Sequence, residues 1–305
     1  MTDIVLHVQD FRKSYKDFVA VDGISFAVER GEIFGLLGPN GAGKTTTLEC
    51  LEGIRQPTGG HLSILNANPS REPGKLRDLL GVQLQTSSLP ADMLVDEAMR
   101  FFCAYHRCAP RFDLLDRMGL TEKRRTPYRQ LSVGQQRRLA LALAIAHAPP
   151  VVILDEPTAG LDVESRSELH SLMQELKQAG TTILLATHDM AEAEKMTDRV
   201  AILLRGKIAA TGSPRELTAT GSGFTKVSVH SEESSLHHTA TIFPGVHQSQ
   251  VADEYAIFFT TNPGPTVAAL LDFLAAQGDK LIDLRVERPS LEERFLEITT
   301  HGGAQ

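Results

Sequence analysis

The chain has 305 residues, 42% hydrophobic and 23% charged, with a formal net charge of −7. This globular balance is enough for one large domain plus a small one, and it excludes disordered and fibrous classes. The negative balance argues against a nucleic-acid backbone as the main partner, so no nucleic acid is expected. Cys50, Cys103 and Cys108 are odd in number and irregular in spacing. They make no disulfide framework, and Cys103 with Cys108 is too few ligands for a zinc site. The opening MTDIVLHVQD shows no basic segment followed by an apolar core, so no secretory signal is read. No stretch approaches the roughly 18 apolar residues of a membrane span. The expectation is a chain soluble by itself, needing another polypeptide to cross a membrane.

Short apolar strands alternate with helical stretches through about residue 212, an α/β pattern. Strands are expected at Ile4–Phe11, Ile24–Val28, Ile33–Leu37, Val82–Gln85, Val151–Leu154, Thr182–Ala186 and Val200–Leu204. Val151–Leu154 and Ile183–Ala186 are continuously apolar, as for strands covered on both faces. Helices fit Lys44–Leu51, Asp96–Tyr105, Val133–Ala146, Glu164–Gln178 and Met190–Met196. The small residues of Thr218–Gly223 suit a linker. Beyond it, strands at Phe224–His230, Tyr255–Thr260 and Leu281–Val286 and helices at Pro265–Gln277 and Ser290–Thr299 make a small α+β domain.

Gly38-Pro39-Asn40-Gly41-Ala42-Gly43-Lys44-Thr45 matches G-x-x-x-x-G-K-[ST], between an apolar strand and a helical stretch. A polyphosphate needs inward-pointing N–H groups, and glycines let the backbone curl that tightly. The following helix adds the positive end of its dipole. Lys44 is placed for the β and γ phosphates, Thr45 for Mg²⁺, and Thr46 joins the ATP-binding set. Val151–Leu154 runs straight into Asp155 and Glu156, at the strand end where α/β sheets bind ligands. Asp155 is the candidate for the Mg²⁺ shell, and Glu156 for polarising or deprotonating water.

Between these motifs lies Leu131-Ser132-Val133-Gly134-Gln135-Gln136-Arg137-Arg138. It resembles the LSGGQ signature of ABC-type ATPases, and the resemblance covers about residues 3–217. It implies a P-loop NTPase fold of ABC type over residues 1–220, with a mixed sheet and a helical subdomain at about 86–148. A small C-terminal α+β accessory or regulatory domain is expected at 221–305. It also implies two such subunits, identical or not, facing head to tail. Each ATP then lies between the loop of one and the signature of the other. Ser132, Gly134 and Gln135 would face the nucleotide held by the partner, from a helix N-terminus suited to phosphate. Val133 departs from the glycine usual there, and a branched side chain at that point would slow hydrolysis.

Further matches are implied by the same resemblance. Tyr15 resembles the aromatic residue that stacks on adenine, worth roughly 1–3 kcal/mol per base. Gln85 resembles the glutamine that senses Mg²⁺ and the attacking water; Gln83 competes, but Gln85 keeps the better spacing from Gly81. Ala159-Gly160-Leu161-Asp162 resembles the loop linking the two subunits, and His188 the switch histidine that touches the γ-phosphate. The region from Gln85 to about Arg107 would hold the groove that receives a helix of a separate polytopic membrane permease. The ending Glu287-Arg288-Pro289-Ser290-Leu291-Glu292 and the run Leu48–Gly53 look like drug-export-type ABC ATPases. The implied function is ATP hydrolysis that powers export from the cytoplasmic face of a membrane. The rival is a soluble ABC-type ATPase uncoupled from transport. No long coiled-coil insertion or second cassette is present to favour the DNA-repair or translation versions of that rival.

Overall fold

A computed structural model describes residues 3–85, 89–219, 224–288 and 290–301. The expected linker residues 220–223 and Pro289 lie outside the described residues. The chain divides into two compact units, Met1–Pro214 and Arg215–Gln305.

The first unit opens with β1 (Ile4–Tyr15), β2 (Phe18–Glu29), β3 (Ile33–Leu37), α1 (Lys44–Leu51), β4 (Gly59–Ile64), α2 (Pro73–Leu79) and β5 (Leu80–Gln83). Then come α3 (Val95–Tyr105), α4 (Phe112–Arg117), α5 (Val133–Ile145), β6 (Val151–Asp155), α6 (Val163–Gln178), β7 (Thr182–Thr187), α7 (Met190–Met196), β8 (Arg199–Leu204) and β9 (Lys207–Gly212). A six-stranded sheet runs β5-β6-β7-β3-β8-β9, parallel except for β9. Every residue of β3, β6 and β7 is buried. That is why Ile33–Leu37, Val151–Leu154 and Ile183–Ala186 read as unbroken apolar runs, since a parallel sheet is covered on both faces. A second, antiparallel sheet has the order β2-β1-β4. The mixed sheet agrees with the expected fold class.

α3, α4 and α5 pack together around Val95, Met99, Cys103, Leu115, Leu139 and Ala142. The three cysteines are free. Some expected boundaries are corrected. The strand expected at Val82–Gln85 is β5, Leu80–Gln83, so Gln83 ends the strand and Gln85 lies beyond it. Thr218 and Ala219, read as linker, close α8 (Pro214–Ala219). Strands β4 and β9 and helices α2 and α4 were not expected.

The second unit holds β10 (Thr225–Ser231), β11 (Val246–Ala252), β12 (Tyr255–Thr260), α9 (Pro263–Gln277), β13 (Leu281–Glu287) and α10 (Leu291–His301). Its antiparallel sheet has the order β11-β12-β10-β13, with α9 packed on β10 and β13. Val227, Val229, Phe258, Leu270 and Leu274 form its core. Ser290 starts α10 with a reciprocal cap, accepting from the Glu293 N–H while the Glu293 carboxylate accepts from the Ser290 N–H, both at 3.2 Å.

His147, between α5 and β6, lies face to face with His106 at 3.7 Å between ring centroids. Burial first, then the neighbouring His106, lowers its pKa to about 4 from 6.5. The unfolded chain therefore takes up this proton first as pH falls, so stability declines from about pH 6.5 towards 4. His147→Gln is expected to melt with a shallower pH dependence across that window. Parallel melting curves for the two proteins would contradict it.

Candidate active site

Three neighbouring parallel strands deliver the site. Leu37 of β3 pairs with Thr187 of β7, and Asp155 of β6 pairs with Ala186 of β7. The chain therefore leaves the sheet at Gly38, Glu156 and His188 along one edge, where α/β sheets place ligands.

The glycine loop leaves β3 and enters α1. Gly43 precedes the helix at φ 106°, and a Cβ there would stand 2.7 Å from the Ala20 carbonyl oxygen. At Gly38 a Cβ would stand 2.3 Å from the Leu203 carbonyl oxygen, so the backbone itself closes the space. Lys44 is buried and donates from Nζ to the carbonyls of Gly38 at 2.6 Å and Pro39 at 3.3 Å. Its Nζ lies 3.8 Å from Glu156 Oε1. Burial lowers the Lys44 pKa, against the opposing pull of Glu156 and Asp155.

Thr45 donates its hydroxyl to Asp155 Oδ2 at 3.2 Å. The other carboxylate oxygen, Asp155 Oδ1, is buried without a hydrogen-bond partner. Burial raises the Asp155 pKa in spite of the Thr45 bond. A hydroxyl, a carboxylate and the nearby Gln85 amide are hard oxygen donors of the kind Mg²⁺ takes. The residues present fit that ion.

Glu156 is buried and sits at φ 50°, a backbone region costly for a residue with a Cβ. Its N–H donates to the Ala186 carbonyl at 2.9 Å, and Arg137 Nη1 donates to its carbonyl at 2.9 Å. His188 Nδ1 lies 2.7 Å from Glu156 Oε1. The strained backbone is thus held from two sides, and the carboxylate is aimed by a histidine.

One cavity of about 190 Å³ is lined by Tyr15, Pro39, Asn40, Gly41, Gly43, Lys44, Thr45, Thr46, Gln85 and Glu156. The structure thus brings Gln85 to the loop, while Gln83 is buried at the end of β5. Ala42 is buried inside the loop. Phe18 and Ala20 complete the wall. Sequence reasoning missed both, because only the pairing of β1 with β2 brings Phe18 opposite Tyr15. It also gave no role to Arg137, whose reach to Glu156 has no local signal. Lys13 and Arg55 approach the Tyr15 ring at 4.9 and 5.5 Å from its centroid.

Ser132, Gly134, Gln135 and Asp162 do not line this cavity. Ser132 caps α5, accepting from the Gln135 N–H at 3.2 Å while its own N–H donates to Gln135 Oε1 at 3.0 Å. Asp162 caps α6, accepting from the Ser165 N–H at 2.8 Å. Val133 is 59% exposed. A Cβ on Gly134 would lie 3.5 Å from Leu161, so the signature and the Ala159–Asp162 loop are neighbours.

The fold and this site define a P-loop nucleotide hydrolase. Residues 21–159 match the family described as ABC transporter. The Nod factor export ATP-binding protein I of Ralstonia nicotianae is 35% identical over 305 residues, spanning 97% of this chain and 94% of that protein. A probable multidrug ABC transporter ATP-binding protein, YbhF of Escherichia coli, is 38% identical over 71% of this chain and 38% of its own length. Among solved structures, cbiO1 from Clostridium perfringens, part of an ABC transporter complex, aligns with TM-score 0.62 at 32% identity. It covers 72% of this chain and 92% of its own. A dimeric ATP-binding cassette bound to ADP and Pi after hydrolysis aligns with TM-score 0.63 at 25% identity, over 68% of this chain and 98% of its own. The chain belongs to the ATP-binding subunits of ABC transporters, and it is an ATPase. None of its described helices is long and apolar enough to cross a membrane.

Lys44→Ala is expected to weaken ATP binding by about 1.5–3 kcal/mol, the scale of a lost hydrogen bond to a charged group. Calorimetric titration with ATP checks this, and an unchanged Kd would remove Lys44 from the phosphate site.

Proposed function

We propose that this chain binds Mg-ATP on residues Gly38–Thr46, completes its site with a second ATPase subunit, and drives export through a separate membrane permease. The observation that carries the two-subunit reading is the split of the site. Lys44, Thr45, Asp155, Glu156 and His188 meet within one chain, while Ser132, Gly134 and Gln135 stand outside that cavity. A capped helix N-terminus carrying Ser132 and Gly134 suits the phosphate of a nucleotide held by another copy.

Tyr15 stacks on the adenine, and the loop N–H groups with Lys44 hold the phosphates. Thr45, Asp155 and Gln85 would hold Mg²⁺, which when bound neutralises charge on the β and γ phosphates. Glu156 takes a proton from a water, whose oxygen attacks the γ-phosphorus as ADP leaves. His188, 2.7 Å from Glu156, orients that carboxylate and reaches towards the γ-phosphate. ATP binds the closed pair more tightly than the open one, so hydrolysis releases closure. Asp162 and the loop before it carry the change between subunits.

An apolar cavity of about 410 Å³ lined by Ile54, Leu89, Phe102, Tyr128, Ala140 and Leu143 is assigned to a helix of the permease. Leu89 and Phe102 of this groove fall in the segment expected to receive that helix. Docking there places the chain at the cytoplasmic face of the membrane. The likeness to subunits described as Nod factor export and multidrug supports the outward direction.

Glu156→Gln is expected to lower ATP turnover by roughly 10²–10⁴-fold, the usual yield of a general base. ATP binding should persist, and the variant should run as a dimer with ATP in size-exclusion chromatography. Normal turnover would exclude Glu156 as the base. Val133→Gly is expected to raise turnover; a rate unchanged or lower would show that the valine does not restrain closure.

A further inference from the structure

Glu52, the residue after α1, carries a buried carboxyl that the catalytic site does not use. Both of its carboxylate oxygens are buried without a hydrogen-bond partner. Burial first, then the charges of Asp155 and Glu49, push its pKa up to about 8. A buried carboxylate left this way is costly, and native proteins normally pair it.

Among the described residues, the basic groups near it are engaged elsewhere. Arg77 forms an ion pair with Asp78, and its guanidinium lies 5.8 Å from the Tyr105 ring centroid. Arg55 is bound to Glu49. His106 and His147 are stacked, and burial lowers the pKa of each, so neither supplies a positive charge at neutral pH. Among the described residues no group of three His, Cys, Asp or Glu side chains is arranged to hold a metal ion.

Glu52 lines a cavity of about 250 Å³ with Arg77, Phe102, Tyr105, His106 and His147. This cavity adjoins the apolar groove, sharing Val82, Phe102, Leu143 and Ala144 with it. The groove supplies apolar area, and Glu52 adds beside it a carboxyl without a hydrogen-bond partner, which an incoming cation would ionise. We infer that this cavity is a socket for one arginine side chain of the membrane subunit, paired with Glu52. Two unpartnered oxygens match the two parallel donors of a guanidinium. The rings of Phe102, Tyr105 and His106 line the same cavity and can meet a guanidinium plane. Pairing removes the cost of ionising Glu52 and fixes the register of the docked helix, which apolar contact alone leaves loose. The inference rests on the proposal that the groove receives that subunit.

The test uses the full chain co-expressed with its membrane subunit. Three variants are compared: Glu52→Gln, Glu52→Arg, and Ala140→Glu in the groove. Glu52→Gln is expected to weaken retention of the membrane subunit by roughly thirtyfold or more, as for loss of one member of a buried charge pair. The ATPase rate of the chain alone should stay unchanged. Glu52→Arg should abolish retention, and an Arg→Glu change in the docking helix of the membrane subunit should restore it. If Ala140→Glu abolishes retention while Glu52→Gln leaves it intact, the socket is wrong and the groove stands. If neither variant affects retention, the groove assignment is wrong and the socket falls with it. Failure of every arginine exchange to rescue Glu52→Arg overturns the pairing.

Discussion

The register of β6, β7 and β3 controls everything else in the first unit. Leu37 faces Thr187 and Asp155 faces Ala186, so three chain exits line up on one edge of the sheet. A slip of one residue in either pairing would turn Asp155 or Glu156 to the opposite face. The fully buried strands make such a slip costly, because each face carries core side chains. The glycine loop, the acidic pair and His188 therefore owe their common position to apolar residues that touch no phosphate.

This position concentrates charge where water is scarce. Lys44, Asp155 and Glu156 are each buried. Burial pulls Lys44 and Asp155 towards their neutral forms, lowering one pKa and raising the other. Lys44 is steadied by loop carbonyls and by Glu156, and Asp155 by the Thr45 hydroxyl. Such an arrangement favours ligands that bring both a polyanion and a cation, since those restore charge balance in low dielectric. The same reasoning separates Glu52 from the site. Burial raises the cost of ionising its carboxyl as well, and its oxygens meet no donor.

The elements legible in the sequence were those with strong local signals. β3, β6 and β7 read correctly because two covered faces keep the interior of each run apolar, with Asp155, Thr182 and Thr187 only at the ends. α5 read correctly with Ser132 as its cap, and α6 read correctly as a helical stretch that the structure caps with Asp162. β4 was hidden by its opening glycines and its polar His61 and Ser63. β11 was hidden because nearly all of it is exposed, leaving no alternating apolar face. α4 spans only Phe112–Arg117, too short for a helical period to show. β5 was placed too late because Leu84 extends the apolar run past the last ladder pair, Gln83 with Leu154.

By itself the sequence determined the chemistry on offer: a phosphate loop, an acidic strand end, a signature segment and a lone histidine, each a local pattern of residue types. It also determined that the strands bearing them would be buried. Tertiary structure alone decided which of these groups meet. It set Glu156 in a left-handed backbone beside His188 and under Arg137, residues distant in sequence. It brought Gln85, favoured by spacing over Gln83, to the loop cavity, and it left Ser132 and Gly134 outside it. The reason is that contact between distant residues follows from strand order and packing, which no run of neighbouring residues encodes.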